Sequence, residues 1–291
     1  MYYLYPVTDV DFSILFMLNM VVGALITWLV TAPVVEMISH SGFVRPNFKG
    51  ESIPVGVGFI FLLVVIGGLT IDYLFLPGLL GQGAMLMLMG LAVITFLGLV
   101  DDFLGSRDYS GLRGHLKALL KGKLTTGGLK AVGGGVLALL ITLAYLRPET
   151  WTFSVALDII VSTLIMALSI NTINLLDLRP GRAAKGFLLL AVIFSALLWG
   201  SDNILPLALI MGSLVLYLPW DLKARVMMGD TGSNALGLVI GMVAALSLQG
   251  AVKLFYLLFL VLFHVLTEKY SLTQLIANNK ILNYLDQLGR K

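Results

Sequence analysis

Four carboxylates, Asp101, Asp102, Asp177 and Asp230, stand where long apolar runs end in loops rich in Lys and Arg. Asp101-Asp102 follows the run Met85 to Val100, Asp177 follows Val155 to Leu176, and Asp230 lies in Met228-Gly-Asp-Thr-Gly-Ser233. An acid in a membrane span costs about 2.5 to 3.5 kcal/mol at the helix centre on insertion scales, so several gathered at one face mark a site. Acids set among basic loops suit chemistry in which a metal cation and a phosphate are held together. Neighbouring helical residues project about 100° apart, so Asp101 and Asp102 need different partners. One is expected to face a metal or an acceptor phosphate, the other an internal Lys or Arg.

Further polar groups fall at the same helix ends. Asn171, Asn174 and Asp177 are spaced by three residues and share a broad face of one helix. The loop after them brings Arg179, Arg182 and Lys185 into one short turn, with Pro180-Gly181 stopping the helix. Three cations there suit a pyrophosphate. Around Asp230, Gly229 and Gly232 let the backbone approach a ligand, Thr231 or Ser233 can cap the helix that follows, and its free N–H groups favour an anion. The first loop supplies Lys49, expected near a phosphate or a base, and Ile53-Pro54-Val-Gly-Val-Gly58 at the mouth of the next helix, where Pro suits the first turn. Between Gly111 and Lys123, Arg113, Lys117 and Lys121 recur every fourth residue opposite Leu112, Leu116, Leu119 and Leu120. That pattern predicts an interfacial helix with a basic stripe toward lipid headgroups, and His115 within it is counted among the substrate-binding residues.

The elements that position these residues must be membrane helices. Of 291 residues, 58% are hydrophobic and only 12% charged, with mean hydropathy +0.97; soluble domains carry about 25% charged residues. At about 20 apolar residues per crossing, nine spans are expected: Phe12 to Val35, Val55 to Tyr73, Ala84 to Val100, Leu129 to Leu146, Val155 to Leu176, Phe187 to Trp199, Ile204 to Leu218, Ala235 to Leu248 and Val252 to Leu266. Of the 19 Lys and Arg residues, only Arg147 and Lys253 fall on the side shared with the N-terminus. The positive-inside rule then places the N-terminus outside and the C-terminus in the cytoplasm. The first run is preceded by Asp9 and Asp11 rather than by a basic segment, so it is expected to remain as span one. The fold class is all-α, a polytopic membrane helical bundle, with residues 1–266 as one transmembrane domain and 267–291 as a cytoplasmic tail.

A net charge of +3 on such a chain reflects cytoplasmic loops facing anionic lipid and phosphorylated substrates, and no nucleic-acid partner is expected. The absence of cysteine excludes disulfides and thiolate metal sites, while His40, His115 and His264 form no short-spaced ligand motif. Oxygen ligands are therefore expected for any metal, which favours Mg²⁺ with Mn²⁺ as the alternative.

Together, Lys49-Gly50 with Ile53-Pro54-Val-Gly-Val-Gly58, Gly98-Leu-Val-Asp-Asp102, Asn171-Thr-Ile-Asn174-Leu-Leu-Asp177 and Met228-Gly-Asp-Thr-Gly-Ser233 resemble the motifs of the polyprenyl-phosphate N-acetylhexosamine-1-phosphate transferases, a group within glycosyltransferase family 4. The resemblance runs from span one through span eight. It implies a bacterial plasma-membrane enzyme that moves a sugar-1-phosphate from a UDP-sugar to a polyprenyl (undecaprenyl) phosphate, with Mg²⁺, and it leaves a homodimer open. By the same resemblance Asp230 and Asp177 are metal ligands, Asp101 or Asp102 acts on the acceptor phosphate, and Asn171, Asn174, Asp177 and Lys49 surround the nucleotide. The chain departs from the family in three places. The loop after Asp177 reads Leu178-Arg-Pro-Gly-Arg182 instead of continuing with glycine, Met227 stands where an aromatic residue is common, and a polar tail without histidine replaces a histidine-rich motif. Donor binding is thus expected to lean on the diphosphate through Arg179 and Arg182. Rival readings are a transporter of lipid-linked sugar, whose polar site would lie near the bilayer midplane, and a relative that binds the same ligands without catalysis.

Overall fold

In hydrocarbon every backbone N–H and C=O must be satisfied within its own segment, which a helix does and an isolated strand cannot. The computed structural model follows this rule over residues 11–76, 80–105, 121–123 and 125–290, the residues it describes. His115, Arg113 and Lys117, and with them the expected basic helix, lie outside the described residues. Nine helices, α1 (Phe12–His40), α2 (Phe59–Phe75), α3 (Gln82–Leu104), α4 (Thr126–Leu146), α5 (Phe153–Leu176), α6 (Arg182–Leu197), α7 (Leu205–Leu222), α8 (Gly229–Ser247) and α9 (Gly250–Lys269), overlap the nine apolar segments expected as spans, with different ends. By length and composition six described segments are able to cross a membrane: α1, α3, α4, α5, α9, and α7 with the short turn before it. Helix α2, with 17 residues, is a shorter apolar helix. This is an all-α, multi-pass membrane bundle.

Helix α8 forms its axis, and every residue from Ala235 to Ala245 is buried. It packs chiefly on α3 and α5, with α2 and α6 beside it. Gly237 and Gly241, one turn apart on α8, lie against the backbone of α5 at Ile170 and Met166, where a Cβ would collide. Small residues at that spacing let two helices approach closely when no hydrophobic force drives them together. The outer surface is apolar: Trp28 of α1, Leu140 of α4 and Phe255 of α9 are 70%, 57% and 69% exposed. Such a surface is stable only against lipid.

One end of the bundle carries the only strands among the described residues, an antiparallel pair β1 (Val44–Pro46) and β2 (Ser52–Pro54) with Arg45 opposite Ile53. Beyond α9 the tail folds into two short helices, α10 (Leu272–Asn278) and α11 (Lys280–Gln287), which return to that same end.

Candidate functional site

Helix α3 runs to Leu104, so its last turn delivers Asp101 and Asp102, while α4 and α8 start beside it with Lys130 and Asp230 in their early turns. Lys130 Nζ lies 2.9 Å from Asp101 Oδ2 and also bonds Asp230 Oδ2. One ammonium with three donors thus joins two carboxylates from different helices. All three side chains are largely buried, at 16% to 24% exposure, where water screens their attraction poorly.

Asp102 turns the other way, as the 100° rotation requires. A helix leaves its first N–H groups without partners, and on α8 the Asp102 carboxylate supplies them. Asp230 N donates to Oδ1 at 3.0 Å, and Thr231 donates to Oδ2 through its N at 2.9 Å and its Oγ1 at 2.6 Å. The anion expected at this helix N-terminus is therefore a side chain of α3. Gly229 precedes these donors at φ +69°, in the left-handed region, and a Cβ there would strike Asp102. Glycine is required on both counts.

The first loop is fastened to the same turn. Met227 N donates to Pro54 O at 2.9 Å, and Val57 N and Gly58 N donate to Met227 O and Met228 O, each at 3.1 Å. Arg45 donates to the Asp102 carbonyl at 2.6 Å, and Phe43 stacks on Phe103 at 4.0 Å. Gly58 abuts the backbone of Gly232, so it serves the close packing of α2 on α8.

The polar residues of α5 meet different neighbours, and Asn171 is exposed. Asn174 Nδ2 donates to Asn234 Oδ1 of α8 at 2.9 Å. Asn171 pairs with His264 Nε2 of α9 at 2.9 Å, while His264 Nδ1 lies 2.8 Å from the Leu260 carbonyl. A carbonyl only accepts, so Nδ1 carries the proton and Nε2 accepts from the Asn171 amide. Asp177 ends the helix as its C-cap. Burial, with Asp221, Asp230 and Asp102 close by, holds its carboxyl well above the usual carboxylate range. Asp221, on α7, accepts from Gly181 N at 3.0 Å and so fixes the loop after Asp177.

The same loop contributes to a second cluster. Lys49 and Arg179 approach the Phe48 ring, with their charged groups 5.7 and 5.6 Å from its centroid. Arg182, expected at a diphosphate, is instead gripped by the tail: its Nε and Nη2 donate to the two Asp286 oxygens at 2.8 and 2.9 Å, and its Nη1 to Thr273 at 3.2 Å. Arg290 also reaches both Asp286 oxygens and the Pro180 carbonyl. Asp286 is 8% exposed; burial raises its carboxyl, but the two guanidiniums prevail and hold it at about 2.

Among the described residues no three acidic or histidine side chains converge as a ready metal cage. The donor set still fits a hard divalent cation: only oxygens are on offer, and Asp177 lies close enough to Asp221, Asp230 and Asp102 to feel their charges.

The family model described as "Glycosyl transferase family 4" matches residues 84–248, from the first turn of α3 through the end of α8. The chain belongs to glycosyl transferase family 4. The family match takes in Asp101, Asp102, Lys130, Asn171, Asn174, Asp177, Asp221 and Asp230, and leaves Lys49 and the tail outside. Relatives include the phospho-N-acetylmuramoyl-pentapeptide-transferase of Thermotoga petrophila, 30% identical over 190 residues, 60% of this chain and 56% of the relative. That of Corynebacterium kroppenstedtii is 29% identical over 255 residues, 72% of this chain and 68% of the relative. The chain thus spans little more than half the length of the Thermotoga petrophila relative.

Sequence reasoning missed Lys130, Asp221, Asn234 and the tail's Asp286 and Arg290. Lys130 stands one residue inside an expected span, and that placement, unusual for a lysine, is the signal that could have singled it out.

Proposed function

We propose that this protein transfers an N-acetylhexosamine-1-phosphate, or a related sugar-1-phosphate, from a UDP-sugar to a polyprenyl phosphate such as undecaprenyl phosphate, releasing UMP at the cytoplasmic face of the bacterial plasma membrane for cell-envelope glycan synthesis. An oxygen of the lipid phosphate attacks the sugar-linked phosphorus, and the bond from that phosphorus to the bridging oxygen of UMP breaks. One phosphoanhydride replaces another, so no external energy source is needed. The observation that carries this reading is Lys130 held between Asp101 and Asp230 at the mouth of the bundle, with Asp102 locking the Asp230 turn in place.

Two anions must meet for the reaction to proceed, which makes charge and position the catalytic requirements. Asp101, the carboxylate not spent on a helix terminus, positions the acceptor phosphate or takes its proton. Lys130 offsets negative charge at the reacting phosphates. Asn171 and Asn174 orient the nucleotide, with His264 and Asn234 fixing their amides, and Lys49 and Arg179 hold its phosphates. Asp230 and Asp177 would hold Mg²⁺, which when bound supplies charge neutralisation at the diphosphate.

A transporter is disfavoured because the polar residues cluster at helix ends rather than at the middle of the spans. The test supplies purified protein in lipid with undecaprenyl phosphate, Mg²⁺ and a panel of UDP-sugars, and identifies the lipid product by mass spectrometry. A polyprenyl diphosphate sugar supports the reading; recovery of unchanged undecaprenyl phosphate with every donor overturns it.

A further inference from the structure

Helix α11 is built backwards for a water-soluble protein. Its apolar residues Ile281, Tyr284, Leu285 and Leu288 are 73%, 66%, 49% and 53% exposed, whereas Asn283, Asp286, Gln287 and Arg290, at i, i+3, i+4 and i+7, turn toward the bundle. The polar face lines a cavity of about 320 Å³ whose opposite side is Phe48, Lys49, Arg179 and Pro180. Two devices hold it there: the Asp286 carboxylate shared by Arg182 and Arg290, and Lys185 Nζ, which donates to the carbonyls of Leu285, Asp286 and Leu288 at 2.9, 2.9 and 2.7 Å. The last contacts satisfy carbonyls that the end of a helix leaves free.

Charge decides what such a cavity accepts. Its lining includes the cations Lys49, Arg179, Arg182 and Arg290 against the single carboxylate of Asp286, which two of them already neutralise between them. The Asn283 and Gln287 amides add neutral donors and acceptors from the tail. A cationic hollow with amides on one wall and an aromatic ring on the other fits a phosphate ester, and its volume is at the small end of ligand sites. We propose that this cavity binds the diphosphate of the nucleotide, and that the C-terminal tail is a wall of the donor site, with Gln287 and Asn283 as specificity-determining residues. The inference rests on the proposed function for the identity of the nucleotide. Lys49 and Arg179 take the phosphates, the Asp286 clasp positions the wall, and the loop from Leu178 to Arg182, pinned by Asp221 and Arg290, joins this cavity to the carboxylate centre.

The experiment uses the full chain in lipid nanodiscs and titrates UDP and inorganic pyrophosphate by calorimetry, with and without undecaprenyl phosphate in the disc. Arg179→Gln is expected to weaken both ligands roughly tenfold, the loss of one charge-assisted hydrogen bond. Gln287→Ala, at an amide with no role in the clasp, is expected to weaken UDP and to change the ratio of affinities for UDP and other nucleoside diphosphates. Unchanged UDP affinity in both variants overturns the inference, and if UMP is still released the proposed reaction stands. Displacement of UDP by undecaprenyl phosphate that Arg179→Gln abolishes also overturns it, by giving the cavity to the lipid phosphate. Variant-sensitive UDP binding without sugar-phosphate transfer supports the tail wall while removing the reaction.

Discussion

Asp102 and Thr231 form the closest junction between the two acidic motifs: Oδ2 accepts from the Thr231 amide at 2.9 Å and from its hydroxyl at 2.6 Å. The carboxylate of one helix is thus the cap of another. Loss of a capping side chain costs about 0.5 to 2 kcal/mol. Asp102→Ala is therefore expected to lower the thermal midpoint and abolish transfer together, while Asp102→Asn retains part of the stability. Thermal unfolding alongside the transfer assay checks this. An Asp102→Ala variant as stable as wild type would contradict the capping role.

Lys130 is expected to be more sensitive to conservative change than a surface lysine. Its compact ammonium fits between Asp101 and Asp230, and a planar guanidinium would not replace its point charge. Both Lys130→Met and Lys130→Arg are expected to lose at least about 100-fold in turnover, the range set by removing one charged stabiliser. Near-normal turnover in Lys130→Arg would reduce Lys130 to a general counter-charge.

Gly229→Ala tests the local geometry without altering any charge. The residue has φ +69° and its Cβ would meet Asp102. Strain of this kind costs about 1 to 3 kcal/mol, and the variant is expected to be less stable and nearly inactive, as read by unfolding and turnover. Gly42, also at positive φ but with open space around it, is the control: Gly42→Ala should preserve turnover.

The tail clasp has a pH signature. Asp286 sits at about 2 in the docked tail against 3.8 for the free group. A depressed value contributes stability above the free value and loses it as pH falls through the lower one. Docking should hold from neutral pH to about 4 and weaken between 4 and 2. A fluorophore on Ile281→Cys, a residue 73% exposed, reads this, because the chain has no cysteine of its own. Asp286→Asn should already loosen the tail at neutral pH; a tail equally docked in that variant would contradict the clasp.

The spans and the acidic helix ends were legible because apolar runs and isolated charges in them are strong physical constraints. The rotation between Asp101 and Asp102 required two partners: one is a lysine, as expected, and the other is the first turn of α8 where a metal or phosphate was expected. The identity of the lysine was hidden, since Lys130 belongs to a loop-adjacent stretch full of positive-inside residues. Asp221 was equally concealed in Trp220-Asp221-Leu-Lys, where a polar residue after an apolar helix reads as a simple end. The tail failed differently. Its polar positions do repeat at helical spacing, but only the folded chain shows that this face points inward and binds Arg182 through Asp286. Met227 contributes through its backbone, joining Pro54 and Val57, a role that side-chain reasoning could not have exposed.

The most direct test of the reaction is the nucleotide that leaves. If sugar and phosphate move together, incubation with undecaprenyl phosphate, Mg²⁺ and the accepted UDP-sugar must release UMP in step with lipid product, and Asp230→Asn must release almost none while remaining folded. Release of UDP instead, or UMP release undiminished in Asp230→Asn, would contradict the account.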